Sequence, residues 1–353
     1  GVGTDSLRSI TTGINNTAIG YGAGDSITTS GYNAILGYQA AASIAAGSGT
    51  NVAIGYQALN LGTANANTIA IGPRSGYNST ADNNVYVGAS AGRESRAGIA
   101  QVYIGASAGY YATGSNNTFV GKDAGKGGTT SAPFSSGEDN VAVGRQALLA
   151  FTTGGSNTMV GTNAGDGITT GASNTGLGNA VTFDVDADNQ TAIGNGATTD
   201  SANDIAIGNT SVDEVKGQVD FTTFSDKRIK RDIKDGDLGL DFINDLKPRK
   251  FKKVNPAKYP DSIRKKNDGI DSDGNEFEWT DAQANKVWDG LIAQEVKEAM
   301  DKAGTSYSGW NIEKNSKESV TYSTLVTPLI KAVQELTEMV KAQQKEIEEL
   351  KKK

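Results

Sequence analysis

Asn51-Val52-Ala53-Ile54-Gly55-Tyr56-Gln57-Ala58 is one copy of a unit, Asn-x-x-Ile/Val-Gly-x-x-Ala, that recurs along the chain. Further copies start at Asn16, Asn33, Asn84, Asn117, Asn140, Asn157 and Asn174, with Gln in the first position at Gln101 and Gln190. Thr68–Ser75 and Asp204–Ser211 are degenerate copies. The landmark glycines are Gly20, Gly37, Gly55, Gly72, Gly88, Gly105, Gly121, Gly144, Gly161, Gly178, Gly194 and Gly208. They fall 16 to 18 residues apart, except for 23 between Gly121 and Gly144 and 14 at the end. A near-constant period of this length marks a stacked repeat architecture.

Each unit has a legible physics. Val52-Ala53-Ile54 is short and apolar at alternate positions, which suits a brief strand. The Gly that follows permits a backbone conformation or a close approach that a Cβ would block. The Ala three residues later is small enough for tight packing, and Gly, Asn, Ser and Thr fill the turns. One such strand cannot bury its apolar side alone. Stacking successive coils is expected to bury the Ile/Val rows, and association of several chains around one axis to cover the apolar row that remains. The leading Asn (Asn16, Asn51, Asn117, Asn157) is expected to be structural, its amide bonding neighbouring backbone.

Composition bounds the chemistry. The 353 residues include 45 Gly and no Cys or His. Disulfides, thiolate nucleophiles, thiolate metal sites, Ser-His-Asp triads and His-ligated zinc are therefore excluded. No apolar run is long enough to span a membrane. The chain starts at Gly1 with no initiator methionine and no signal peptide, so it reads as a fragment of something longer. Residues 1–224 hold 38 of the glycines and 8 Lys+Arg against 16 Asp+Glu; residues 225–353 hold all three Trp and 25 against 24. That shift places a boundary at Phe224–Ser225, giving domains 1–224 and 225–353. The acidic first part argues against nucleic-acid binding, which wants a basic face.

The repeat resembles the head repeat of trimeric autotransporter adhesins of the YadA type. The resemblance, which covers roughly residues 10–210, implies a mostly β fold: a trimeric left-handed parallel β-roll or solenoid serving as an elongated binding or spacer body. The 23-residue interval contains Phe134, expected to lie on an ordinary longer turn, with receptor contact as the alternative. Arg93-Glu94-Ser95-Arg96 reads as a short charged loop, with an anionic sugar contact as the alternative. Asp184-Val185-Asp186-Ala187-Asp188 opens like a calcium loop, but Asn189 and Asn195 stand where an EF-hand needs Gly and Glu. It reads as a solvated turn, as does Asp271–Asn275. No metal and no cofactor is expected.

After Phe224 the pattern changes. Leu240, Ile243 and Leu246 predict a short amphipathic helix ended before Pro248. Arg249–Val254 reads as a strand, Trp288–Val296 as a strand running into a helix, and residues 255–285 as an exposed excursion. From Tyr322, Val326, Leu329, Val333, Leu336, Val340, Gln343, Ile347 and Leu350 follow steps of three and four, the seam of a coiled coil over 322–353.

Ser225-Asp226-Lys227-Arg228-Ile229-Lys230, Leu246-Lys247-Pro248, Gly290–Val296 and the Tyr322…Leu325…Leu329–Ala332 coil together resemble the intramolecular chaperone domain of phage tail spikes and fibres, the peptidase S74 family. The resemblance covers 225–353. It implies an α+β domain ending in a trimeric coiled coil, which trimerises, helps the upstream β body fold and then cuts itself off. It places the cut at Phe224–Ser225, with Ser225 as nucleophile and Lys230 as general base: a single-turnover serine autopeptidase. A Ser-Lys dyad suits a chain without His. Lysine, ordinarily near 10.4, acts as a base only when partly desolvated, and burial in an assembled trimer is the expected source. The plainer reading makes Ser225 a helix N-cap and Lys230 a surface charge.

The expected protein is thus a homotrimeric tail fibre or tail spike segment of a virion, made in the host cytoplasm. It would contact a host cell-surface receptor, a glycan or an outer-membrane component, with neither nucleic-acid binding nor membrane insertion. Two alternatives stay open. A bacterial trimeric adhesin would share the head repeat, and a glycan-degrading tail spike would need two placed carboxylates that residues 1–224 do not visibly supply.

Overall fold

The computed structural model describes residues 1–352 apart from 45–48, 63–65, 129–130, 132–133, 213, 219–220, 222, 265–267, 270–275, 277 and 314–315. The Asp271–Asn275 stretch discussed above lies outside the described residues. The chain forms two compact units that change over between Ser211 and Val212.

The first unit is a parallel β-solenoid. Twelve three-residue strands, β1 to β12, run Thr17–Ile19, Ala34–Leu36, Val52–Ile54, Ile69–Ile71, Val85–Val87, Val102–Ile104, Thr118–Val120, Val141–Val143, Thr158–Val160, Thr175–Leu177, Thr191–Ile193 and Ile205–Ile207. They form one sheet in strict sequence order, each paired in parallel with the next. The register matches repeat to repeat: Ala34 faces Val52, Ile35 faces Ala53 and Leu36 faces Ile54.

The burial pattern corrects one expectation. The outer residues of a three-residue strand share one side and the middle residue points to the other. Here the inward row is the middle one: Ala18, Ile35, Ala53, Ala70, Tyr86, Tyr103, Phe119, Ala142 and Met159 are buried. The flanking Ile/Val rows point outward, with Ile19, Leu36, Ile71, Ile104, Leu177 and Ile207 exposed. Stacking coils therefore leaves those rows uncovered rather than burying them.

The narrow interior is filled by exchange of volume between positions six residues apart. Where the inward strand residue is aromatic or Met, its partner is Gly: Tyr86 with Gly92, Tyr103 with Gly109, Phe119 with Gly125 and Met159 with Gly165. Where it is Ala, a buried Leu can take the space: Ala53 with Leu59 and Ala142 with Leu148. Close packing at native density demands such matching. The aromatic run stacks along the axis, with Tyr103 and Phe119 centroids 4.9 Å apart.

Two further ladders fix the coils. The landmark glycines from Gly20 to Gly178 have φ of 129–142° and each abuts the next; a Cβ on Gly88 (φ 135°) would lie 2.5 Å from the Gly105 carbonyl oxygen. The buried amides form the second ladder. Asn140 Oδ1 accepts from the Asn157 backbone N–H at 3.0 Å, and Asn140 Nδ2 donates to the Gly154 carbonyl at 3.0 Å. Asn157 repeats this toward Asn174 and Gly171. The leading Asn is structural, since it satisfies backbone groups that the turns would otherwise leave buried and unpaired.

The second unit is α+β. Helix α1 (Leu240–Asp245) precedes β13 (Arg249–Lys252), which pairs antiparallel with β14 (Val287–Gly290) after the short α2 (Asp281–Asn285). Then come α3 (Ala293–Ala303), a hairpin of β15 (Trp310–Ile312) and β16 (Glu318–Val320), and α4 (Val326–Lys351). Leu238, Phe242, Val296, Ala299, Met300 and Tyr307 form its core. Residues 255–285 are not merely an exposed excursion: Pro256 and Ala257 are buried in a single 3-10 turn. No helix among the described residues is long and apolar enough to cross a membrane.

Candidate functional site

The residues after Phe224 build a small, self-contained turn. Asp226 caps a 3-10 helix, Lys227–Ile229, its carboxylate accepting the Arg228 backbone N–H at 2.8 Å. The Arg228 guanidinium grips the same carboxylate, Nε at 3.1 Å from each oxygen and Nη2 at 2.6 Å from Oδ2. The Arg228 side chain first, then its backbone N–H, holds the Asp226 carboxyl below its ordinary value, and Asp226 in turn raises Arg228.

The single 3-10 turn lies between Ser225 and Lys230. Lys230, the C-cap, places Nζ 2.6 Å from Ser225 Oγ, as donor to the hydroxyl. The two residues singled out from sequence are therefore in direct contact. Asp226, not Ser225, is the cap, so the helix leaves the Ser225 hydroxyl available to Lys230. Arg228 is not a free cation beside Lys230, because it is spent on Asp226. The pair and its neighbours are solvent-exposed within one chain, as are Phe221 and Phe224, each at least 90% accessible.

The rest of the unit locks its motifs together. Leu291 donates its backbone N–H to the Tyr322 hydroxyl at 2.7 Å, joining the Gly290–Val296 motif to the start of the terminal helix. Arg249 on β13 binds Glu295 on α3 through Nε at 3.0 Å and Nη2 at 2.5 Å. The same contact lowers the Glu295 carboxyl. Glu335 accepts the Leu240 N–H at 2.7 Å and so satisfies the first backbone donor of α1. On α4, Val326, Leu329, Val333, Leu336, Val340, Ile347 and Leu350 are 45–69% accessible, an open heptad seam.

The other sequence candidates resolve differently. Asp186 accepts from Thr169 and Thr170 at 2.7 and 2.8 Å, and Asp188 from the Ala172 N–H at 2.7 Å. These acids tie one coil to the previous one. Phe134 is half-buried, stacked on Tyr111 with centroids 5.8 Å apart and covered by Arg96 at 4.9 Å.

The chain is thus a β-solenoid body followed by an α+β unit with a terminal heptad helix and a Ser-Lys contact within that second unit. Residues 225–305 match the family model of peptidase S74, the chaperone of endosialidase. That match begins at Ser225, and with the solenoid ahead of it the chain fits a tail fibre or tail spike with a C-terminal chaperone domain. No curated protein matches the chain, and no solved structure matches it.

Proposed function

We propose that this chain is the C-terminal segment of a phage tail fibre or tail spike, carried in the virion after synthesis in the host cytoplasm. Residues 1–224 serve host-surface attachment. The domain from Ser225 trimerises the chain, guides folding of the solenoid and then releases it by cutting Phe224–Ser225. The observation that carries this reading is the 2.6 Å contact between Ser225 Oγ and Lys230 Nζ at the first residue of the chaperone match.

The chemistry balances with two residues. Neutral Lys230 takes the proton from Ser225 Oγ as Oγ attacks the Phe224 carbonyl carbon. The Phe224 C–N bond breaks, the Ser225 nitrogen receives the proton, and an ester links Phe224 to Oγ. Water then hydrolyses that ester, leaving a Phe224 carboxylate and a Ser225 amino terminus. The base must be a neutral amine, which desolvation favours. Exposure of Lys230 within one chain thus supports a cut that waits for assembly, when neighbouring chains bury the turn.

Two uncovered apolar surfaces support the trimer: the outward Ile/Val rows of the sheet and the open seam of α4. Each Val, Leu or Ile fully buried there would contribute about 1.5–3 kcal/mol. Parallel β structure with long-range pairing folds slowly and exposes edges. A coil that gathers three chains raises their effective concentration before the solenoid forms. On a denaturing gel, Ser225→Ala and Lys230→Ala are expected to stay full-length while the parent chain fragments. Normal fragmentation of either variant would sink the dyad.

A further inference from the structure

The solenoid is acidic, yet its middle coils carry a cluster of arginine and aromatic side chains that the fold does not require. Tyr77, Arg93 and Tyr110 each stand five residues past a landmark glycine (Gly72, Gly88 and Gly105), so they fall one above another on successive coils. The Arg93 guanidinium lies between the two rings, 5.7 Å from the Tyr77 centroid and 5.3 Å from that of Tyr110. Beside them Tyr110 and Tyr111 have centroids 4.4 Å apart, and Tyr111 stacks on Phe134. Phe134 comes from the one interval of 23 residues, so the insertion delivers an aromatic ring to this cluster. Arg96 covers Phe134 and keeps 56% of its side chain accessible.

A guanidinium stacked on a ring engages through its face and keeps its in-plane N–H groups for a planar oxyanion. Here Arg93 Nη1 donates to the Tyr110 hydroxyl and Arg96 Nη2 to Glu94, so only part of each fork is engaged. Arg93 Nε is buried without a hydrogen-bond partner. A single carboxylate, Glu94, stands 3.9 Å from it and 3.4 Å from Arg96 Nη2, and is itself bonded to Asn78. One carboxylate against two guanidinium groups leaves a net positive spot on a body whose charged residues favour acid two to one. The position of Glu94 also shows that a carboxylate fits beside these forks.

We propose that Arg93, Arg96, Tyr110, Tyr111 and Phe134 form a binding site for an acidic oligosaccharide. The rings stack on the apolar C–H face of a sugar and the guanidinium forks take a hexuronate carboxylate. This deepens the attachment reading above and rests on it.

The full chain is tested for binding to immobilised alginate, polygalacturonate and hyaluronate, with dextran as the neutral control, while cleavage and trimer state are read on the same preparation. Binding to at least one acidic polymer, absent on dextran and weakened by salt, is expected. Arg96→Gln and Phe134→Ala are each expected to weaken it by about tenfold or more. Arg96→Lys should restore little, since it keeps the charge and loses the fork. Retained trimer state shows that the variants fold. A cleaved trimer that binds no acidic polymer, prefers dextran, or ignores both substitutions overturns the site and leaves the chaperone reading intact. A chain that neither trimerises nor cuts overturns that reading instead.

Discussion

Gly290 lies against the hydroxyl of Tyr322: a Cβ there would be 2.6 Å from that oxygen, which accepts the Leu291 N–H. Two motifs separated by some thirty residues thus meet at one atom, and the glycine is needed because the phenol fills its side-chain space. Tyr322→Phe leaves the Leu291 amide unpaired, a loss of about 1–2 kcal/mol. Gly290→Ala pushes the ring away and is expected to cost more. Both should lower the first melting transition of the isolated chain in calorimetry, with Gly290→Ala the lower of the two.

Inside the solenoid the equivalent relationship is between Tyr103 and Gly109, where an added Cβ would run into the Tyr103 ring and the backbone has φ 57°. Gly109→Ala is expected to destabilise the solenoid by about 2–4 kcal/mol through overpacking and left-handed strain. Tyr103→Ala alone leaves a cavity worth about 3–5 kcal/mol. Tyr103→Ala with Gly109→Leu imitates the natural Ala142/Leu148 pairing. It should lose less than Tyr103→Ala alone in denaturant titration, a coupling that only contact between the two sites produces.

The Tyr86 hydroxyl is buried and bonded to Gln101 Oε1 at 2.6 Å. Burial pushes its pKa up to about 12, from the ordinary 10.0. Tyr103 is raised as well, by burial and then by Tyr86. A phenol that holds its proton more tightly when folded stabilises the fold fully below the unfolded value, and that stability is lost as pH rises from about 10 through 12. Absorbance at alkaline pH should therefore show two tyrosines that ionise only as the solenoid unfolds. Ionisation of both in the still-folded solenoid would contradict this.

The Asp226–Arg228 clasp holds the turn that sets Ser225 beside Lys230. Neither residue touches the scissile carbonyl chemistry in the scheme above, so both act as positioning residues. Arg228→Ala and Asp226→Ala are expected to slow cutting by about tenfold without abolishing it, because the one-turn helix loses its cap. Arg228→Lys should recover part of the rate. The pH profile of the residual reaction should keep its shape, since the base is unchanged. Complete loss of cutting in all three variants would give the clasp a more direct role.

The period of the repeat was legible because each landmark glycine answers a backbone need that no other residue meets. The leading asparagines were legible for the same reason: a buried turn must satisfy its amides. The direction of the strands was not. Val52, Ala53 and Ile54 are all apolar, and nothing local says that the smallest of them faces inward; the interior width set by neighbouring coils decides that. The left-handed conformations of Leu59 and Leu148 (φ 49° and 51°) were equally invisible, since leucine has no preference for them; the same turn position is left-handed at Gly92, Gly109 and Gly125, and the coil imposes it. At the site, spacing alone left Ser225 as cap or nucleophile. Asp226 takes the cap itself, a role that its type and its place ahead of the turn suit, which removes the first of these readings.

The most direct test of the account is the intact mass of the chain after expression and assembly. Two products are expected, one ending at Phe224 and one beginning at Ser225, appearing only in trimeric material. Full-length trimer with no cut, or a cut at any other bond, would contradict it.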